Sequence, residues 1–159
     1  MGLRFKNQEF GECFFVTTSF KDREPLGNYA GVYEILATAI NFQIDEMGAK
    51  LIAYVLMPTH LHLLMAINGQ KLSDFIRDFK KYTSQKALLE YCPSKKAWQY
   101  RYDRQAIWSG RALKTKIVYI HNNPLTAGLV SRPEDWFWSS AADYLGREKG
   151  PLAIWREWY

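Results

Sequence analysis

Apolar and polar positions change period several times along the chain, and each change marks an element. Phe14-Phe15-Val16-Thr17-Thr18-Ser19-Phe20 is aromatic and β-branched and runs into the turn-prone Lys21-Asp22-Arg23-Glu24-Pro25-Leu26-Gly27, so it reads as a first strand. From about Tyr29 to Met47 the apolar positions Val32, Ile35, Leu36, Ala39 and Ile40 form one helical stripe that stops at Gly48. Leu51 to Met57 returns to strand character. Pro58-Thr59 interrupts it, because proline has no N–H to give a ladder, and His60 to Ile67 continues as a second strand paired with it or close to it.

Leu72, Phe75, Ile76 and Phe79 predict a second helix from about Ser73 to Glu90, with Arg77, Lys80, Lys81 and Lys86 at exposed positions. Trp98-Gln99-Tyr100-Arg101-Tyr102-Asp103-Arg104 alternates rings with polar groups. As a strand or extended loop it places Trp98, Tyr100 and Tyr102 on one face and Gln99, Arg101 and Asp103 on the other. Those rings are either core or a stacking platform. Leu113, Ile117 and Ile120 predict a third helix over 111–123, ended by Pro124. Gly128, Pro133 and the run from Trp136 to Tyr144 suggest a turn, an aromatic plug and a short helix begun by a serine cap. Trp155 to Tyr159 carries no clear signal.

The chain has 159 residues, which fits one domain over 1–159 with a real core. Hydrophobic residues make up 48% and charged ones 23%, without repeats or low-complexity tracts, as in a folded globular chain. No apolar run approaches a membrane span, and Met1-Gly2-Leu3-Arg4-Phe5-Lys6 has no apolar signal core, so a soluble cytoplasmic protein without membrane contact is expected. Cys13 and Cys92 are far apart and form no Cys-x-x-Cys pair, which argues against a zinc ribbon or a disulfide framework. With 21 Lys and Arg against 16 Asp and Glu and 16% aromatic residues, the balance suits single-stranded nucleic acid. Arg77, Lys80, Lys81, Arg101 and Arg104 are the candidate DNA contacts, each otherwise a solvated surface cation.

The three histidines fall in two short segments. His60-Leu61-His62 begins a strand, so the two imidazoles share a face, with Leu61 and Leu63 on the other. They are either half a chelate for a divalent ion or two strand histidines. Tyr119 and Asn123 lie four apart on the third helix and project from one side, away from Ile117 and Ile120, with Lys116 and Thr115 one turn earlier. His121 is about 200° around the helix from Tyr119 and points away from it. It is either structural or an accessory, substrate-contacting group.

Three segments together resemble the REP-associated tyrosine transposases: Tyr54-Val55-Leu56-Met57-Pro58-Thr59-His60-Leu61-His62-Leu63-Leu64, the run from Tyr119-Ile120-His121-Asn122-Asn123-Pro124 to Val130, and Pro133-Glu134-Asp135-Trp136-Phe137-Trp138-Ser139-Ser140. These are single-tyrosine HUH endonucleases, alongside the transposases of the smallest single-strand insertion sequences. The resemblance implies a ferredoxin-like α+β sandwich, an antiparallel sheet with helices on one face. It implies a metal-dependent endonuclease and strand transferase that acts on single-stranded or hairpin DNA through a 5′-phosphotyrosine. By position, Tyr119 matches the nucleophile, and His60, His62 and Asn123 match the ligands of Mg²⁺ or Mn²⁺. Insertion-sequence relatives usually carry glutamine where this chain has the shorter Asn123.

A phenol ionises near ~10, so the attack calls for the metal, a basic neighbour such as Lys116, or the substrate to take the proton. A monomer is expected, with a homodimer as the alternative. The rival readings are a DNA-binding protein that has lost catalysis and a hydrolase that uses a water nucleophile.

Overall fold

A computed structural model describes residues 12–86, 88–91, 96–146 and 148–158. Cys92, the segment Met1 to Lys6 and Tyr159 lie outside them. The expected strands form as β1 (Cys13–Ser19), β2 (Lys50–Leu56) and β3 (His60–Ala66), and β4 (Asp103–Ala106) completes a sheet of order β2-β3-β1-β4. All three pairings are antiparallel. With α1 (Val32–Met47) between β1 and β2, and α2 (Gly69–Lys86) between β3 and β4, this is the βαββαβ order of a ferredoxin-like α+β fold.

Strand alternation then sorts the residues into two layers. Phe14 and Val16 of β1, Tyr54 and Leu56 of β2, and Leu61, Leu63 and Met65 of β3 pack under Leu36 and Ile40 of α1 and Phe75 and Phe79 of α2. Phe15, Val55, Leu64 and Ala66 face the other way and meet Leu113, Ile117 and Ile120 of α3 (Gly110–Thr126). The expected confinement of the helices to one face therefore holds only for α1 and α2. α3 carries its own apolar stripe and must bury it, and the far face of the sheet is the apolar surface left to it.

Three sequence expectations shift at their ends. α2 starts before Ser73, because the Asn68 side chain accepts from the Gln70 N–H and Glu12 from the Gly69 N–H, and it closes at Lys86 rather than near Glu90. α3 runs through Pro124 to Thr126, since the next turn is held by the Ala127 N–H on the Asn123 carbonyl and the Leu129 N–H on the Pro124 carbonyl. The third concerns the ring alternation at 98–102. Trp98 bridges Phe20 and Asp103 pairs with Thr17, so five steps on this strand face three on β1 and two residues loop out as a bulge. Trp98 is buried with its indole N–H on the Thr83 hydroxyl, while Tyr100 is 97% exposed.

The tail seals the open edge of β2. The Leu56 N–H donates to the Trp138 carbonyl, the Ser140 N–H to the Tyr54 carbonyl, and the Trp136 indole to the Leu56 carbonyl. Such an edge otherwise offers unpaired backbone groups to other chains. The expected short helix forms as α4 (Ala141–Tyr144), and Ser139 rather than Ser140 supplies the side-chain cap, to the Ala141 N–H.

Candidate functional site

The site lies where β1, β3 and α3 meet. His62 sits across from Thr17 and His60 across from Ser19 in the β1–β3 ladder, which places both imidazoles on the α3 face. Their ring centroids are 4.8 Å apart. Each ring is fixed through Nδ1 by a threonine hydroxyl: Thr17 Oγ1 at 2.8 Å from His62 and Thr59 Oγ1 at 2.9 Å from His60. This holds the Nε2 atoms toward α3, the usual arrangement when the second nitrogen serves as a ligand.

The Nε2 atoms have distinct surroundings. His62 Nε2 is buried and has no hydrogen-bond partner. His60 Nε2 lies 3.2 Å from Asn123 Oδ1, so the shorter amide reaches the histidine. An imidazole lone pair and a carbonyl oxygen face each other at that distance only with a proton or a cation between them. Two neighbouring ligands at about 2.1 Å from one octahedral ion stand about 3 Å apart, so the pair also fits a shared divalent ion. Among the described residues no group of three His, Cys, Asp or Glu side chains is placed to hold an ion, so a centre here depends on Asn123 as third donor.

Electrostatics keep both rings neutral at pH 7. Burial, foremost, and then repulsion from a His60 ring that would itself take up a proton, and from Lys116 and Arg23, push His62 down to about 3. His60 is lowered by burial and by Arg23, against a smaller opposing pull from Asn123. Neutral imidazole is the form that ligates a metal.

Tyr119 is 49% exposed on α3, its ring edge-on to His62 at 5.5 Å and to Phe15 at 5.9 Å. It is neither a core tyrosine nor a free surface one. Lys116, one turn earlier, holds its ammonium 4.5 Å from the Phe15 ring centroid and 5.4 Å from that of Tyr119, which makes it a positive charge at the mouth of the site. Thr115 instead turns its hydroxyl onto the Arg111 carbonyl. His121 is on the opposite side of α3, buried, with Nε2 2.8 Å from Ser140 Oγ and its ring on Tyr144. There it ties the helix to the tail, and burial holds it down at about 4.

Sequence reasoning missed Thr17, Thr59 and Arg23. Thr17 is a partner by strand register, which a sequence does not display. Arg23 stands in a turn where Asp22 and Arg23 both take positive φ, 55° and 53°, and its guanidinium reaches the Thr59 hydroxyl at 3.5 Å.

Four of the five proposed DNA contacts line one groove of about 980 Å³ between α2 and the 96–102 segment: Arg77, Lys80, Lys81 and Arg101. They are not equivalent. Arg77 is paired with Asp74 and Asp78, and Lys80, pushed down to about 8 by burial, donates to the Gln99 carbonyl at 2.8 Å. Arg104 lies apart, on the α1/α2 side of β4 over the Phe14 ring.

Among the described residues no helix is long and apolar enough to cross a membrane. A search of curated proteins found no match. Solved structures that match this chain include two that share its fold. A REP-associated tyrosine transposase bound to a REP hairpin is 23% identical at a TM-score of 0.73, over 94% of this chain and 92% of that one. A transposase candidate from Deinococcus radiodurans R1 is 19% identical at 0.51, over 69% of this chain and 88% of that one. The family model described as Transposase IS200 like matches residues 14–123, a stretch that opens on β1 and closes on Asn123. The chain that brings His60, His62, Tyr119 and Asn123 together therefore belongs to the IS200-like transposase family.

Proposed function

We propose that this protein cleaves and rejoins single-stranded DNA beside a hairpin, with Tyr119 as the nucleophile and His60, His62 and Asn123 as the holders of a divalent ion, Mg²⁺ or Mn²⁺. The observation that carries this reading is the buried, unpartnered Nε2 of His62 in a ring 5.5 Å from that of Tyr119. A buried polar atom without a partner costs stability, and a site that binds a cation there explains why the chain keeps it. When bound, the ion supplies a Lewis acid that offsets charge on the phosphoryl oxygens. The hairpin partner follows the family and the hairpin-bound structural neighbour.

The chain's own groups do the rest. Tyr119 Oη forms a bond to phosphorus as the bond from phosphorus to the 3′-oxygen breaks, and the phenolic proton reaches that oxygen through water, leaving a 3′-OH and a 5′-phosphotyrosine. Packing against Phe15 and His62 limits where the ring can point, and so aligns it for an in-line approach. The Lys116 ammonium pairs with a non-bridging oxygen. Thr17 and Thr59 keep the two imidazoles oriented. A second 3′-OH then reverses the step, so strands are joined without an external energy source.

Labelled hairpin DNA with a single-stranded flank, incubated with Mn²⁺ and denatured, tests the proposal. The expected result is a protein–DNA adduct that is lost on chelation, in Tyr119→Phe and in His62→Ala, while Tyr119→Phe still binds DNA. Free 5′ and 3′ ends without an adduct point to a water nucleophile, and binding without cleavage to a non-catalytic protein; either overturns the assignment.

A further inference from the structure

The bulge between Trp98 and Asp103 lies across β1 from the histidines, and its exposed ring has no role in the fold. A second cavity, of about 500 Å³, opens on the other side of this segment from the α2 groove, within the roughly 300–1,000 Å³ usual for ligand pockets. Its walls include Thr17, Arg23, Gln99, Tyr100, Arg101 and Asp103.

Two of these walls also belong to the supports of the candidate metal centre. Thr17 is bonded to His62, and Arg23 to Thr59, which is bonded to His60. The cavity therefore begins where the space for the reacting phosphate ends. It combines two guanidinium groups that make no ion pair among the described residues, an aromatic ring in open solvent, and side-chain acceptors at Gln99 and Asp103. Phosphate takes the cations, a base face takes the ring, and a base edge takes the acceptors. A paired base has its faces covered by its neighbours, so the ring suits an unpaired one. Asp103 sits on the same face as Thr17, across the β1–β4 ladder, and its carboxylate accepts from an exocyclic amine, which cytosine has and thymine lacks.

We infer that this cavity is a subsite for the unpaired nucleotide next to the phosphate that Tyr119 attacks, with Tyr100 stacking on its base, Arg23 and Arg101 holding its phosphates, and Asp103 selecting an amino-bearing edge. The inference rests on the proposed function for where the DNA lies. A bulge supplies what this needs, since it aims one side chain out of the sheet without disturbing the pairing on either side.

The test uses Tyr119→Phe protein with Mg²⁺ and hairpin DNA carrying 2-aminopurine on either side of the cleavage position mapped with the wild type. One of the two positions is quenched on binding. Adding Tyr100→Ala restores its fluorescence and weakens binding of the flanked hairpin about tenfold, whereas Tyr100→Phe retains both. A hairpin without the flank binds all three proteins equally. Cytosine at that nucleotide binds several-fold tighter than thymine, and Asp103→Ala levels the two.

Quenching that survives Tyr100→Ala, equal affinity for the flanked hairpin, or an equal loss for the flankless hairpin overturns the inference. Equal binding of cytosine and thymine overturns the role of Asp103. A wild type that binds the same DNA but forms no adduct overturns the cleavage reading instead, and leaves the Tyr100-dependent quench to be read on its own.

Discussion

The two faces of the sheet are made by the same strands and differ in what they tolerate. Under α1 and α2 the strands present Leu61, Leu63, Met65 and their neighbours, a layer held chiefly by apolar burial. Under α3 the same strands present Phe15, Leu64 and Ala66 toward one end, and Thr17, His60 and His62 toward the other. The first face is predominantly apolar from end to end, with isolated buried polar atoms at Thr18, Tyr33 and Gln43. The second is packed for half its length and then opens into polar groups that the fold positions but does not fully satisfy, as His62 Nε2 shows. The polar groups of the second face are gathered at one end rather than scattered, which brings the His62 ring to 4.8 Å from that of His60 and 5.5 Å from that of Tyr119.

The sharpest way to separate the two faces is Tyr119→Phe. Adduct formation is abolished, while the urea midpoint stays within the range of about ±0.5 kcal/mol expected for a half-exposed side chain. Leu63→Ala should do the reverse. It opens a cavity in the α1/α2 layer and costs roughly 2–5 kcal/mol by urea denaturation, with metal affinity of the folded protein unchanged. Thr17→Val tests whether the threonines matter to the histidines. Losing the bond to His62 Nδ1 should weaken Mn²⁺ binding by about 10–100-fold in titration calorimetry, and an unchanged affinity would show that the ring needs no such support.

The α3 side of the sheet also responds to pH. His121 and His62 are held at about 4 and about 3, below the ordinary value of 6.5, because burial favours their neutral forms. The unfolded chain therefore binds more protons than the folded one in the window below 6.5. Their contribution is complete above pH 6.5 and is lost as pH falls toward 4. The urea midpoint should decline between pH 6.5 and 4.5, and His121→Gln should make that decline shallower.

The parts legible in the sequence were those with a local period. His60 and His62 two apart on a strand, and Tyr119 and Asn123 four apart on a helix, needed only the geometry of one element each. The stripes of α1 and α2 were equally plain, and with the strands read around them they are compatible with the βαββαβ order. What escaped depends on pairing between distant segments. Thr17 meets His62 because of strand register, and Tyr100 leaves the alternation because two residues bulge between Trp98 and Asp103. Pro124 misled about the end of α3, because the bonds that carry the helix past it involve backbone donors that no propensity displays.

One consequence of β3 bears on how this protein can change over generations. Its seven residues write two messages on alternate positions, Leu61, Leu63 and Met65 for one layer and His60, His62, Leu64 and Ala66 for the other. Losing one residue from the turn at Met57, Pro58 and Thr59, with β2 held in place, would slide the strand by a single step, sending imidazoles into hydrocarbon and leucines to the site. Point substitutions explore either message separately, but insertions and deletions corrupt both at once. The length of that turn, more than the identity of its residues, is what inheritance has to preserve.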